Sequence, residues 1–346
     1  MRDSFARSKI TRMKTYTTVR RTALVRILLS AGLSLLAIAA IPRSLVADDS
    51  AAINPETAAL HALFDEEWER SLKEGPTNAS RLGDRRYNRL WPDMSLPAIR
   101  QSQATSRKVL DRLHVIDRTK LSAADQLNYR LFDVQYETDL AMQPFALHLL
   151  PLNQREGIQD ESSLSDLLAF DSIRDYEDWI ARLRAFPRYM GQTMALLKQG
   201  TRDRMVHPKI VMQRLPGQIR KQLAAKPEDS LYYKPFVTFK VELTPSEQTR
   251  LRKEAAAAIE SCIFPSYRAF LEFFEKEYLP ACFDDVGCWQ RPNGDAMYAA
   301  LAKQFTTTNL TPDEIHEIGL KEVARIRAKM EAIQMKSAGP VRFRNS

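Results

Sequence analysis

The sequence lacks every short motif that would assign it a cofactor or a catalytic nucleophile. It contains no G-x-S-x-G, P-loop, dinucleotide-binding, H-E-x-x-H or EF-hand pattern. Its histidines are too scattered for any spacing to indicate a shared metal. They are His61, His114, His148, His207 and His316. Residue by residue, the chain therefore predicts no metal site and no catalytic residue.

Cysteine is also scarce, with Cys262, Cys282 and Cys288 the only three in 346 residues. The odd number and the absence of C-x-x-C argue against a zinc or redox site. A Cys282–Cys288 disulfide is an open alternative if the protein is exported, because exported proteins meet an oxidising compartment. The pattern favours unpaired thiols.

The chain has no excess of charge outside its first 47 residues. The formal net charge is +8, and residues 1–47 carry nine Lys or Arg against one acid. The other 299 residues balance 42 basic against 42 acidic side chains. We therefore expect no nucleic-acid partner, since binding of that kind needs a basic surface.

The basic leader is typical of a secretory signal peptide. Arg20, Arg21 and Arg26 precede an uncharged, largely apolar run over residues 27–41. Fifteen residues fall short of the ~20 that span a bilayer, and they suit a signal-peptide core. We predict a signal peptide over 1–47, cleavage after Ala47, a periplasmic or secreted protein, and no stable membrane insertion beyond the signal segment. The twin-arginine route and an uncleaved anchor stay open.

Helical periodicity extends over almost the whole chain after the leader, so we predict an all-α fold, a multi-helix array with a few irregular loops. The last helix has the clearest signals. Thr311 and Glu314 can form a capping box, and Pro312 suits the first helical position. Its apolar residues recur every three to five positions and predict one buried stripe. They are Ile315, Ile318, Val323, Ile326, Met330 and Ile333.

Prolines set several of the other predicted boundaries. We expect Pro187 to break the helix that begins at Ser172, and one helix to run from His207 to about Leu223. Residues 225–243 are aromatic and Pro-interrupted, which predicts a short extended pair or a packed loop. A long helix from Thr244 to about Leu279 should be kinked at Pro265.

One loop interrupts the helical pattern, with the sequence LLPLNQREG at residues 149–157. Asn153, Gln154, Arg155 and Glu156 follow an apolar stretch abruptly and precede Gly157. Polar loops on a helical scaffold often bind ligands, so these four residues are our candidate substrate-binding residues. The alternative is structural, with Asn153 and Gln154 satisfying helix ends and Arg155 pairing with Glu156.

Several stretches resemble the bacterial family catalogued as domain of unknown function 885. They are ALHALFDEEWERSL with RLGDRRYN (59–72 and 81–88), LLPLNQREG (149–157), YEDWIARLRAFPRYM (176–190) and TTTNLTPDEIHEIGLKEVARIRAKMEAI (306–333). The resemblance implies a mostly helical, often exported protein similar to gluzincin-type metallopeptidases. It also implies a zinc helix in the C-terminal half of complete members, which this chain does not match.

Two functions follow from that resemblance. The first is a truncated member of a zinc-peptidase-like hydrolase family, inactive alone, which keeps the helical substrate-cleft half over 48–334. Its divergent tail over 335–346 would then reflect a shift of reading frame. Zinc and a peptide-like substrate are expected only in complete members. In this chain His316-Glu317 lacks its second ligand, because Leu320 occupies that place. The second function is a non-catalytic periplasmic helical binding or scaffold protein.

The leader generates a direct prediction. We expect the exported chain to begin at Asp48, because Ala47 closes the segment after the apolar run. Mass spectrometry of the N-terminal peptide from a periplasmic fraction measures this. A cytosolic protein that starts at Met1 or Met13 would contradict it.

Overall fold

Helices provide the regular structure of this protein, whose computed structural model describes residues 54–336. Within that range no strand forms, and the only β-type pairing is an isolated bridge between Pro208 and Phe283. The all-α prediction is therefore confirmed. The predicted signal peptide with its Ala47 cleavage site, and the tail from residue 337, lie outside the described residues. No helix in the described range combines the length and apolarity that a bilayer span requires.

The α-helices follow one another with short irregular connections. They are α1 (Pro55–Glu74), α2 (Pro76–Arg81), α3 (Leu96–Val115), α4 (Ala123–Met142), α5 (Ile173–Arg202), α6 (Lys209–Met212), α7 (Leu215–Arg220), α8 (Lys234–Val237), α9 (Pro245–Ala258), α10 (Phe264–Phe273), α11 (Leu279–Ala281), α12 (Gly294–Thr306) and α13 (Pro312–Lys336). Short 3₁₀ turns fill several connections, and the longest of these turns is Ile158–Asp166.

Side-chain caps fix the helix starts where the sequence placed them. The Oγ1 of Thr311 accepts from the Glu314 N–H at 3.2 Å, and the Glu314 carboxylate accepts from the Thr311 N–H at 2.7 Å. Thr244 and Glu247 form the same reciprocal box at the start of α9. Each box satisfies two donors that a helix start would leave unpaired.

Pro187 does not end a helix, so that prediction is wrong. α5 runs unbroken from Ile173 to Arg202 with Pro187 inside it. The ring of Pro187 lies on the exposed side, while Leu183, Phe186 and Met190 are buried around it. Burial of those side chains outweighs the missing hydrogen bond, which costs about 3 kcal/mol in an isolated helix.

The long helix around Pro265 is continuous and changes its winding rather than stopping. A π-helical segment, Ile259–Ile263, joins α9 to α10, and a second one, Phe274–Tyr278, joins α10 to α11. Each ends in an i→i−5 hydrogen bond directly before a proline, from Phe264 ahead of Pro265 and from Leu279 ahead of Pro280. The wider turns accommodate prolines that cannot donate to the ladder.

The segment between α5 and α9 differs from the prediction at one point. The helix expected from His207 to Leu223 is two short helices, α6 and α7, separated at 213–214. Residues 225–243 form the packed-loop alternative, built of 3₁₀ turns and α8. Tyr232 and Phe236 of this loop are fully buried. Their burial against α5 and α10 fixes a segment that has no periodicity of its own.

Two large hydrophobic cores lie within the described residues, besides a small cluster of Leu149, Leu196 and Met205. The larger one surrounds α5, which packs against α9, α10 and both π-helical segments. The predicted aromatic stripe of Tyr267, Phe270, Phe274 and Tyr278 is confirmed as core, since all four are fully buried. The smaller core lies between α1, α3 and α4, where Leu60, Leu63 and Leu113 meet.

The apolar stripe of α13 is exposed, so the prediction of a buried stripe is wrong for the described chain. Among the described residues, the main packing partner of α13 is α12. The periodicity correctly indicated one apolar face, but no described element covers it. The exposed fractions are 47% for Ile318, 66% for Val323, 47% for Ile326, 51% for Met330 and 66% for Ile333.

The position of Pro187 yields a stability prediction. Pro187→Ala should raise the free energy of unfolding by about 2 kcal/mol, because alanine restores an N–H that can donate to the Leu183 carbonyl. Urea denaturation followed by circular dichroism measures the change. Pro312→Ala is the matched control and should give little gain, since Pro312 occupies the first position of α13. Equal effects in both variants would refute the explanation.

Candidate functional site

The predicted substrate-binding loop is held by its own side-chain turn. The Oδ1 of Asn153 accepts from the backbone N–H of Arg155 at 2.8 Å and from that of Glu156 at 3.1 Å. The Asn153 N–H donates to the Glu156 carbonyl at 2.8 Å. Such a turn is the usual local use of asparagine. Asn153 therefore shapes its own loop, rather than satisfying a helix end as the structural alternative expected.

Gly157 closes this turn in a conformation that other residues rarely adopt. Its φ is 141°, and an added Cβ would lie 2.5 Å from the Leu152 Cβ and 2.6 Å from the Gln159 Oε1. Gln159 then donates from Nε2 to the Asn153 carbonyl at 2.8 Å. The chain consequently folds back on itself directly after the four candidate residues.

Side chains from α7 and its C-terminal end fasten the same stretch to the protein. Gln218 donates from Nε2 to the Gln154 carbonyl at 2.9 Å. Gln222, just after α7, donates to the Gln159 carbonyl at 3.0 Å. Deeper in, the hydroxyl of Tyr267 donates to the Ile158 carbonyl at 2.6 Å. We call residues 153–161 the polar segment.

The four candidate residues differ in what they offer to solvent. Asn153 and Arg155 are exposed, whereas Gln154 and Glu156 are half-buried. The Oε1 of Gln154 lies 3.4 Å from the Arg214 Nη1, so Gln154 is partly used within the protein. Arg155 is the side chain best placed to reach a ligand. Whether any of the four contacts substrate stays a prediction.

The far end of the polar segment carries a half-buried carboxyl group, Glu161, that the sequence did not indicate. Glu161 accepts from the Tyr189 hydroxyl at 2.9 Å. Burial raises the pKa of Glu161, and the hydrogen bond from Tyr189 opposes that rise. Tyr189 stacks on Trp91, with ring centroids 5.1 Å apart and planes 2° from parallel. A carboxyl group in such surroundings is a common feature of functional sites.

Arg182 is a fully buried charge close to Glu161. Its side chain is fully buried, and its Nη2 donates to the Ser80 Oγ at 2.7 Å and to the Tyr87 carbonyl at 2.9 Å. The Nε and Nη1 atoms have no hydrogen-bond partner among the described residues. Burial lowers the pKa of Arg182 to about 10, so the group stays charged near neutral pH.

The described residues satisfy this buried charge only in part. A buried cation with unused donors is costly unless further groups satisfy it. Arg182 lies seven residues before Tyr189 on α5, so both side chains lie on one face of the helix. The sequence signal was present as a lone Arg within an apolar stripe, but the same pattern also fits an arginine that reaches solvent.

A second polar cluster surrounds His207. The Nδ1 of His207 lies 3.3 Å from the Arg291 Nη2. Because arginine only donates, Nδ1 accepts and the proton of the neutral ring is on Nε2. Burial, and next the charge of Arg291, lower the pKa of His207 to about 4. His207 is therefore neutral near pH 7.

Cys282 lies near this cluster and is buried. All three cysteines are free, so the open alternative of a Cys282–Cys288 disulfide is not formed. Burial raises the pKa of Cys282 to about 12, which keeps it as the thiol. A thiolate is the nucleophilic form, so Cys282 and His207 do not make a catalytic pair.

The remaining histidines serve local contacts or lie in isolation. His61 pairs with Asp125 at 2.9 Å, and His114 pairs with Asp133 at 2.8 Å. His316 is exposed on α13. Across residues 54–336, no three His, Cys, Asp or Glu side chains are arranged to hold a metal ion.

One open pocket of about 440 Å³ lies beside α8 and α9. Its lining carries two charged residues, Glu242 and Arg252. Arg252 is already used, because Nε donates to the Phe236 carbonyl at 3.1 Å and the guanidinium lies 5.0 Å from the Phe239 ring centroid. The polar segment, which includes Glu161 and lies near Arg182, is consequently the better candidate site.

Comparison with known proteins agrees with this all-helical architecture. The family of bacterial proteins of unknown function, DUF885, matches residues 76–343. The chain belongs to this family. No curated protein matches the chain.

A solved structure shares the fold. It is described as "The crystal structure of the putative lipoprotein from Colwellia psychrerythraea". The TM-score is 0.73 at 17% identity, over 82% of this chain and 52% of that one. The chain thus spans about half the length of that protein, and at this identity the likeness shows the fold alone.

The buried histidine gives a pH prediction. Its pKa of about 4 lies below the ordinary 6.5, so the unfolded chain binds a proton that the folded chain does not bind. Stability from this group is complete above pH 6.5 and is lost as pH falls towards 4. Relative to His207→Gln, the wild type should lose roughly 3 kcal/mol between pH 7 and pH 4.

Denaturation at a series of pH values measures this difference. The variant removes only the titrating ring, so Asp and Glu contribute equally to both proteins. Parallel stability curves for wild type and His207→Gln would show that His207 titrates normally.

Proposed function

We propose that this chain is the substrate-contacting helical part of an exported hydrolase of the zinc-peptidase type. The single observation that supports the proposal is the polar segment, whose hydrogen bonds fix the loop that exposes Arg155 to solvent. A ligand that meets such a preformed surface loses less entropy than one that must order a loop. The catalytic groups and zinc belong to complete family members.

The neighbouring charges support the same function. The fully buried Arg182 is costly to bury, and its retention beside the polar segment is explained if ligand binding uses that charge. An exposed arginine favours a carboxylate, which it can bind in a bidentate manner. We therefore propose peptide-like substrates with a free C-terminal carboxylate.

Export rests on the leader, and it agrees with the description of the Colwellia protein as a lipoprotein. We propose a periplasmic or secreted protein. The second candidate, a non-catalytic helical binding or scaffold protein, predicts the same ligand contacts. The two differ only in whether catalytic groups act on the bound peptide.

The test is peptide binding by the purified chain in the presence of EDTA. Isothermal titration with Ala-Ala-Glu should give heat, and its C-terminal amide should bind more weakly. Arg155→Ala should weaken binding of the free acid about tenfold, or ~1.4 kcal/mol, with little change in stability. No hydrolysis product is expected.

The matched control is Arg107→Ala, which removes an exposed arginine from α3. It should bind as the wild type does. Asn153→Ala is a less specific probe, because it also removes the turn that shapes the loop. Equal affinity for acid and amide, or an Arg155→Ala variant that binds normally, would contradict the proposal.

A further inference from the structure

The open pocket beside α8 and α9 combines groups that could recognise a small molecule. Its volume of about 440 Å³ falls within the roughly 300–1,000 Å³ of small-molecule sites. Glu242 and Arg252 give its lining one charge of each sign, and four apolar side chains form another part of the lining. The apolar residues are Val237, Phe239, Val241 and Leu243.

Hydrogen bonds and packing hold the lining of this pocket in place. The backbone N–H of Lys240 donates to the hydroxyl of Tyr176 on α5 at 2.9 Å. Gln248 donates from Nε2 to the Leu243 carbonyl at 3.1 Å. Three of the four apolar side chains pack against the larger core. The pocket is therefore preformed, and a ligand that enters it does not have to order the loop.

Arg252 is held at two points while the end of its guanidinium stays open. Its Nε is bonded to the Phe236 carbonyl, and its guanidinium lies over the ring of Phe239. Among the described residues, Nη1 and Nη2 form no hydrogen bond and no ion pair. These two nitrogens present the planar pair of donors that binds a carboxylate in a bidentate manner. Arg252 is therefore suited to a ligand with a carboxylate group.

Glu242 provides the opposite charge, and it is equally unused. Its exposed carboxylate forms no ion pair with Arg252 or with any other described residue. Two opposite charges that line one pocket without pairing leave space between them for a ligand that carries both charges. Val237 is 63% exposed, so such a ligand would also find an apolar surface to cover.

We propose that this pocket binds a free α-amino acid with an apolar side chain. Arg252 binds the carboxylate, Glu242 binds the ammonium group, and the apolar side chain of the ligand packs on Val237 and Phe239. A simple carboxylic acid or a simple amine would use only one of the two charges. The inference is independent of the proposed function, which places a peptide carboxylate on Arg155.

The probe is L-phenylalanine, titrated with the purified chain and followed by ligand-observed NMR. It should bind with a dissociation constant on the order of 1 mM or tighter. Two analogues that each lack one charge should bind at least about tenfold more weakly. They are 3-phenylpropionate, which lacks the ammonium group, and 2-phenylethylamine, which lacks the carboxylate. Equal affinity for all three molecules, or no binding of L-phenylalanine, overturns the proposal.

Glu242→Gln tests the ammonium contact in a variant that should fold as the wild type does, because the Glu242 carboxylate has no hydrogen bond to lose. It should bind L-phenylalanine about tenfold more weakly and 3-phenylpropionate no more weakly than the wild type. Glu260→Gln is the matched control, since it removes an exposed glutamate from the π-helical segment Ile259–Ile263. The control should bind normally, and a Glu242→Gln variant that also does so contradicts the proposal.

Arg252→Met tests the carboxylate contact. It removes the charge but keeps an apolar stem beside Phe239, and it should bind L-phenylalanine and 3-phenylpropionate at least about tenfold more weakly. Thermal melting reports any effect of the lost Phe236 bond, and the Glu242→Gln result does not depend on it. Arg155→Ala should bind L-phenylalanine as the wild type does. Binding that is lost in Arg155→Ala and kept in Arg252→Met would place the amino acid on the polar segment and overturn this proposal alone.

Discussion

The packing of α5 against the long helix of residues 245–281 is the contact on which the other elements depend. Trp179 and Phe186 of α5 are fully buried, and the ring of Phe186 lies 5.3 Å from that of Tyr267. Burying each such side chain contributes about 1.5–3 kcal/mol, so this interface can hold a proline inside α5 and two π-helical segments in its partner. Irregular helix geometry survives because the side chains between the helices are well packed.

The same interface positions the polar segment. The hydroxyl of Tyr267 is bonded to the Ile158 carbonyl, so its single proton is used and the Tyr232 hydroxyl must donate to it at 2.7 Å. This chain of hydrogen bonds ties the loop after Asn153 to the centre of the larger core. A loop anchored at that depth presents Arg155 from a rigid base, which connects core packing to the proposed function.

Family membership and fold place the protein among helical bacterial proteins, while its chemistry stays a matter of proposal. The solved relative shares the architecture at 17% identity, and this chain spans about half of it. The described residues provide the polar segment, which includes the half-buried Glu161, and the fully buried Arg182 near it. They provide no group of metal ligands. A hydrolase function for the chain is therefore a proposal.

Local chemistry let the sequence predict the helices, their caps and the aromatic core. A capping box such as Thr311 with Glu314 involves residues three apart, and the stripe from Tyr267 to Tyr278 repeats within one helix. Both features can therefore be predicted from a short stretch of sequence. The predicted polar loop is also present as a distinct element, and its asparagine turn is local. A short stretch of sequence does not indicate how strongly contacts with distant residues stabilise it.

Those distant contacts decided the rest. The local chemistry of Pro187 predicts a helix end, yet the neighbouring Phe186 packs against Tyr267, on a helix far along the chain. Glu161 and Tyr189 gave no signal in sequence, that of Arg182 was ambiguous, and only the fold brought the three residues together. Periodicity likewise marked an apolar face on α13 but held no information on what covers it. The sequence by itself determined which faces are apolar and where helices begin. The tertiary structure decided which faces are buried, because burial is a property of two surfaces and the sequence of one helix describes only its own.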